Sequence, residues 1–217
     1  MSKLRSTISM SLDGFVAGPD QSVQDPLGVG GERLHDWIVP LAVFREMHGE
    51  DGSGGEVNAS TAVVRGWWEN IGAIVMGRNM FGGGPGPWRG DWRGWWGENP
   101  PYHVPVFVIT HHPRDPLEMQ GGTTFHFVTE GIQAGLKLAT EAAGGKDVWL
   151  TGGASVIQQY LRAGLLDEIE ISLAPVLLGG GERLFADLEG SEIELEQVRA
   201  VEAPGVTHIR YRVKQGG

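Results

Sequence analysis

No cysteine occurs in the 217 residues, which excludes disulfides, thiolate metal centres and a cysteine nucleophile together. A reducing cytoplasm is the compartment that this composition suits. Positive charge is also scarce, with 17 Lys and Arg against 27 Asp and Glu for a formal net charge of −10. A nucleic-acid surface needs a positive field, so that class falls away, and an anionic ligand must find a local cluster of donors. No apolar run approaches the ~18 residues of a membrane span. Lys3 and Arg5 lead straight into alternating residues rather than a secretion signal. Standard fingerprints are missing too. There is no G-x-G-x-x-G and no G-x-S-x-G, and Gly144-Gly145-Lys146-Asp147 lacks the spacing and hydroxyl of a Walker loop.

What is present in quantity is glycine and tryptophan, 35 and 8 copies. Both gather in residues 82–101, where Trp88, Trp92, Trp95 and Trp96 sit among Gly and Pro. A structureless stretch of that length in a compact domain is uncommon and reads as a lid or binding loop.

Periodicity orders the rest. Residues 7–12 alternate as a strand and stop at the turn pair Asp13-Gly14, with a short apolar piece at 15–17. Residues 34–47 carry Leu34, Trp37, Ile38, Leu41 and Phe44 at helical spacing, with Pro40 as a flaw, and 59–68 form a second helix. Buried strands follow at 71–76 and 104–110, then a strand at 123–128 and a helix capped by Thr129. Residues 148–150 form a strand that breaks at Thr151-Gly152-Gly153, before a helix bearing Val156, Ile157, Tyr160 and Leu161. A strand at 169–173 precedes a hairpin of 193–201 and 206–213, joined at Ala203-Pro204-Gly205. Alternating strands and helices with an antiparallel finish predict one α/β domain over 1–217, a mostly parallel sheet with helices on both faces.

Three strand ends carry the functional signal. Gly77-Arg78-Asn79 follows one buried strand, Thr110-His111-His112 a second, and Gly152-Gly153-Ala154-Ser155 a third at a helix start. Ligands of open α/β sheets bind at these carboxyl ends, where glycine lets backbone approach and helix amides are free. Arg78 adds a cation suited to a phosphate monoester. His111-His112 is a poor metal pair, because neighbours in a strand point opposite ways.

Together these segments resemble the dihydrofolate-reductase-like superfamily, and most of all the reductase domain of bifunctional riboflavin biosynthesis enzymes. The resemblance rests on residues 11–18 (SLDGFVAG), 75–80 (VMGRNM), 108–110 with Pro113, 151–155 (TGGAS), 161–168 (LRAGLLDE) and 174–181 (APVLLGGG). It implies a three-layer fold with an antiparallel C-terminal hairpin, and NADPH as cofactor. By the resemblance, Gly77, Arg78, Asn79 and Met80 face the adenosine 2′-phosphate or pyrophosphate, and Thr110 and His111 line the adenosine ribose. Gly152, Gly153, Ala154, Ser155 and Val156 hold the pyrophosphate, while Ala17 and Gly18 flank the nicotinamide. Two positions depart from the riboflavin-pathway pattern: Thr151 replaces a substrate-binding Glu, and Gly83-Gly84-Pro85 replaces Asp-Asp-Pro.

Hydride transfer asks side chains mainly to place the reacting carbons and exclude water, and often needs one acid near the acceptor. Asp36 looks like the pterin-binding carboxylate of folate reductases, with a solvated helix-start Asp as the alternative. Asp13 is the other carboxylate, with turn chemistry as its alternative. Trp37 and Phe81 offer stacking walls or core. The expected function is an NADPH-dependent reductase of a small heterocycle, acting on a CH–NH or C=N bond. A reductase of a xenobiotic acceptor and a non-catalytic nucleotide-binding module are its rivals. The hairpin and the apolar 174–178 segment leave an edge that a homodimer would cover.

Overall fold

The computed structural model describes residues 2–214. Strand β1 (Leu4–Ser11) turns into the short β2 (Phe15–Ala17), followed by a 3-10 turn (Gly31–His35) and helices α1 (Ala42–Met47) and α2 (Ala59–Trp68). β3 (Ile71–Gly77) runs directly into the one-turn helix α3 (Arg78–Phe81). Beyond the tryptophan-rich stretch lie β4 (Pro105–Ile109), β5 (Leu117–Glu118), β6 (Thr124–Val128) and α4 (Ile132–Ala142). β7 (Asp147–Leu150), α5 (Ala154–Arg162), β8 (Glu168–Ala174) and β9 (Glu182–Arg183) precede the hairpin β10 (Glu194–Ala203) and β11 (Val206–Lys214).

The main sheet has nine strands in the order β10-β11-β8-β1-β7-β3-β4-β6-β5. From β8 to β6 the pairing is parallel, while β11 on β8 and β5 on β6 make both margins antiparallel. β2 and β9 form a separate ribbon. Strand period sorts side chains to two faces. Val75, Val148, Leu150 and Ile169 pack under α4 and α5 with Val156, Ile157 and Tyr160. Ile74, Met76, Val106 and Val108 face the other way, beneath Phe81, Phe125 and the tryptophans. Trp37, Ile38, Leu41, Val43 and Val64 close the remaining part of that face under α1 and α2.

The expected helix over 34–47 is in fact two pieces. Pro40 lacks an N–H and disfavours helical backbone before it, so the chain leaves the 3-10 turn and Leu41 is extended (φ −70°, ψ 139°). The Pro40 carbonyl instead accepts the Glu56 amide at 2.8 Å, and the Ala42 amide reaches the Glu56 carbonyl at 2.9 Å. Thr129 does not cap α4: Gly131 holds that position, and the Thr129 amide donates to Glu130 Oε2 at 2.9 Å. β5 and β9 have two residues each, too few to show a period.

The tryptophan-rich stretch is a fastened cover rather than a lid. The indole nitrogens of Trp88, Trp92 and Trp95 donate to the carbonyls of His112, Phe81 and Met80 at 2.9, 3.0 and 3.0 Å. Trp96 stacks on Phe125 with ring centroids 5.8 Å apart. The apolar 174–178 segment is also partly covered within the chain, because Ala174, Val176 and Leu178 pack against Leu34.

A buried polar network lies under α2. His208 sits between the Ser60 and Ser172 hydroxyls at 2.9 Å each, and Glu170 accepts from Arg199 and Arg210 at 2.8 Å. Burial drives the His208 pKa from 6.5 down to about 4, against the pull of Glu170. The fold therefore favours neutral imidazole. Stability from this group is complete above pH 6.5 and drains as pH falls toward about 4. Urea titrations across that window should show a loss on the order of 2 kcal/mol after allowance for screening, and His208→Asn should flatten it.

No helix among the described residues is long and apolar enough to cross a membrane.

Candidate functional site

The sheet brings the three glycine-bearing or polar tips to neighbouring positions on one rim. β7, β3 and β4 are consecutive, with Gly77 paired to Ile109. The Gly77 amide donates to the Gly152 carbonyl at 2.7 Å, and the Thr151 amide to Val75 at 3.1 Å, so the Gly-Gly turn is tied to the β3 tip. A side chain on Gly77 would meet Val156 at 3.3 Å. At Gly153 the reverse holds: a Cβ there would have nothing within 4 Å. Gly153 opens α5 with no side-chain cap. Among the described residues, the amides of Gly153, Ala154, Ser155 and Val156 hold no acceptor. Bare amides at an uncrowded helix start form an anion cradle.

Arg78 follows Gly77, whose amide is tied to the Gly-Gly turn. Its Nε and Nη2 donate to the carbonyls of Gly82 and Gly84 at 3.1 and 2.9 Å, and its guanidinium stacks 3.3 Å from the Trp88 ring centre. The remaining nitrogen, Nη1, is buried with no partner. Arg114 approaches the same indole at 5.1 Å, and its Nη1 is also buried and unpartnered. Burial, and then the neighbouring Arg114, lowers the Arg78 pKa. Burial first, then Arg93, lowers that of Arg114, with Asp91 opposing. Buried donors without acceptors are rare in native proteins, and two cations crowded on one ring are costly unless an anion joins them. The donor set fits a phosphate.

Other expected site residues fall out as follows. Thr110 is buried and its hydroxyl accepts the His112 amide at 3.2 Å, while His111 and Asn79 are exposed at the rim. Met80 lies against the Gly152 turn, where a Cβ would meet its sulfur at 3.6 Å. Ala17 is buried. Gly18 is glycine because the Val29 backbone crosses over it, so loop packing already accounts for that residue.

Four expected site residues have structural partners or settings of their own. Asp13 is tied into the fold, its pKa lowered to about 2, above all by the Ser11 hydroxyl. Its oxygens take that hydroxyl at 2.6 Å and the Leu178 and Gly179 amides at 3.1 and 2.7 Å, tying β1 to the 174–181 segment. Phe81 is completely buried, edge-on to Trp88, Phe125 and Phe127, so it is core. Thr151 directs its hydroxyl to the Val75 carbonyl at 3.5 Å rather than outward. Asp36 starts no helix; it follows the 3-10 turn and is exposed.

Asp36 does line a cavity of about 360 Å³, together with Arg33, Trp37, Glu56, Asn58, Val176 and the Pro204-Gly205 turn. Trp37 is buried beneath it, its ring edge-on to His208 at 4.7 Å. A second cavity, under β1 beside Trp67 and Glu170, holds only about 10 Å³, the room of one water.

Sheet order, rim and helix start define a dihydrofolate-reductase-like α/β fold, and comparison with known proteins agrees. The sequence model of the RibD C-terminal domain family matches residues 2–208, and the chain belongs to that family. A crystal structure of a putative riboflavin biosynthesis protein from Shewanella sp. PV-4 superposes with TM-score 0.64 at 24% identity, covering 98% of this chain and 99% of that one. Dihydrofolate reductase from Enterococcus faecalis, complexed with NADP(H), gives TM-score 0.53 at 13% identity over 98% and 97% of the two chains. At such identities the likeness is one of fold. A stretch of 68 residues is 44% identical to the uncharacterized protein YyaP of Bacillus subtilis (strain 168), spanning 31% of this chain and 36% of that relative.

Sequence reasoning missed Arg114, Glu56 and Asn58, and named Trp88 only as part of the tryptophan-rich stretch. Asn58 was the most legible, since Asn58 and Thr61 form the capping box of α2.

Proposed function

We propose that the chain is an NADPH-dependent reductase of a small heterocyclic acceptor. The observations that carry it are the pair of buried, unpartnered guanidinium nitrogens on Trp88 and the bare amides at the α5 start. Gly153 to Val156 would hold the pyrophosphate at the positive end of the helix. Arg78 and Arg114 would take the 2′-phosphate, which NADH lacks. When bound, the cofactor would supply the hydride, and these residues would hold and orient it. The fastened tryptophan cover would exclude water on the adenosine side by fixed packing rather than by closure.

Absorbance at the reduced-nicotinamide band, followed with a panel of cyclic imines and carbonyls, tests the reading. Steady NADPH consumption with a cyclic C=N acceptor is expected. Tight binding without turnover on every acceptor would instead make the chain a nucleotide-binding module.

A further inference from the structure

Resting on that reading, we infer that the Met80 thioether is a peroxide-sensitive modification site, whose sulfoxide loosens the dinucleotide and whose reduction restores binding.

Sulfur chemistry is the first ground. The chain has six methionines and no cysteine, so thioethers are the sulfurs that an oxidant meets, and methionine sulfoxide forms reversibly. Burial then sorts them. Met1 lies outside the described residues. Met76 is completely buried, and Met119 is buried with its sulfur taking a bond from Arg93 Nη2 at 3.3 Å. Met10, Met47 and Met80 are half-buried. Of these, Met10 packs on the α4 and α5 side of the sheet, and Met47 on the cluster of Trp37, Leu41 and Val64.

Position is the second. Gly152 is buried with φ +121°, and a Cβ there would meet the Met80 sulfur at 3.6 Å and Ile8 Cδ1 at 3.8 Å. The thioether therefore packs on the Gly-Gly turn. That turn is tied to the β3 tip through Gly77, and its next residue opens α5, where the amides hold no acceptor. The backbone under Met80 is fixed as well. Trp95 donates to its carbonyl at 3.0 Å, and the Gly82 amide closes α3 on the Arg78 carbonyl at 2.8 Å.

Oxidation breaks the O–O bond of a peroxide. One oxygen forms the S–O bond as sulfur gives up two electrons, and the other leaves as water. A dithiol reverses the step, releasing the oxygen as water and closing to a disulfide. The sulfoxide puts a polar acceptor where an apolar contact braced the turn. Like a phosphate it seeks donors, so it competes for the amides that follow, and its partial negative charge opposes the pyrophosphate.

The experiment treats the full chain with hydrogen peroxide, removes it, maps the methionines by peptide mass spectrometry and titrates NADPH by calorimetry. Each protein is compared with itself untreated. Met80 is expected to gain one oxygen before Met76 and Met119, and the oxidised chain to bind NADPH at least ~tenfold more weakly. Methionine sulfoxide reductase with a dithiol should restore the affinity. Met80→Leu, a swap that conserves volume, should abolish the peroxide effect, whereas Met47→Leu should keep it. Three results overturn the inference: Met80 left unoxidised while Met47 is oxidised, Met80 oxidised with NADPH affinity unchanged, or Met80→Leu losing as much affinity as the unaltered chain. In each, NADPH binding by the untreated chain leaves the reductase reading standing. Failure of the untreated chain to bind NADPH removes that reading, and the switch with it.

Discussion

Gly153→Val should weaken NADPH binding by about a hundredfold or more while leaving the melting temperature within ~2 °C. The two halves of this expectation have separate causes. A Cβ at Gly153 meets no atom within 4 Å, and the residue's backbone (φ −78°, ψ −166°) is extended, as any residue allows. The Cβ itself therefore meets no obstacle. The amides of 153 to 156 hold no acceptor at this helix start, so a branched side chain there would crowd the phosphate they would bind. Each amide–phosphate hydrogen bond contributes roughly 1.5–3 kcal/mol, so losing one or two reaches that range. Gly153→Ala should fall between, near tenfold. Calorimetric titration beside thermal melts gives both readouts. A valine variant that melts normally and binds NADPH like the parent would contradict the cradle.

Arg114→Gln is expected to cost NADPH about 30-fold in affinity and to leave NADH unchanged. Arg114 is the cleaner of the two cations, because Arg78 also holds the Gly82 and Gly84 carbonyls, so its removal would loosen the start of the tryptophan stretch as well. Both lie on Trp88, and burial already lowers both pKa values. A bound dianion relieves that strain, which ties the effect to the 2′-phosphate alone. Loss of the NADPH-over-NADH ratio should deepen in the double variant with Arg78→Gln, and weaken with rising salt. A parallel loss for both dinucleotides would instead mean that the arginines act through loop structure.

Sequence reached far into the fold because its signals there are local. Runs such as residues 71–76 and 148–150 are short, apolar and bounded by glycine, and a parallel sheet follows from their alternation with helices. The rim followed in turn, since Arg78, Thr110 and Gly153 each stand just past a strand end. Legibility stopped where pairing is long-range. Nothing in residues 84–114 announces that Trp88 bridges two arginines, for that depends on a loop folding back over β4 and β6. Asp36 was misplaced because helical spacing across Pro40 looked continuous, whereas the Glu56 backbone captures the chain there. Asp13 looked like a free turn carboxylate, and its partners at 178 and 179 are 165 and 166 residues away.

The most direct test of the rim as a dinucleotide-phosphate site is paired fluorescence titration of the unaltered protein with NADPH and NADH, with Trp88 under Arg78 as a built-in reporter. Saturable quenching with NADPH bound at least ~tenfold more tightly than NADH is the expected result. No saturable signal for either, or equal affinity for both, would contradict it.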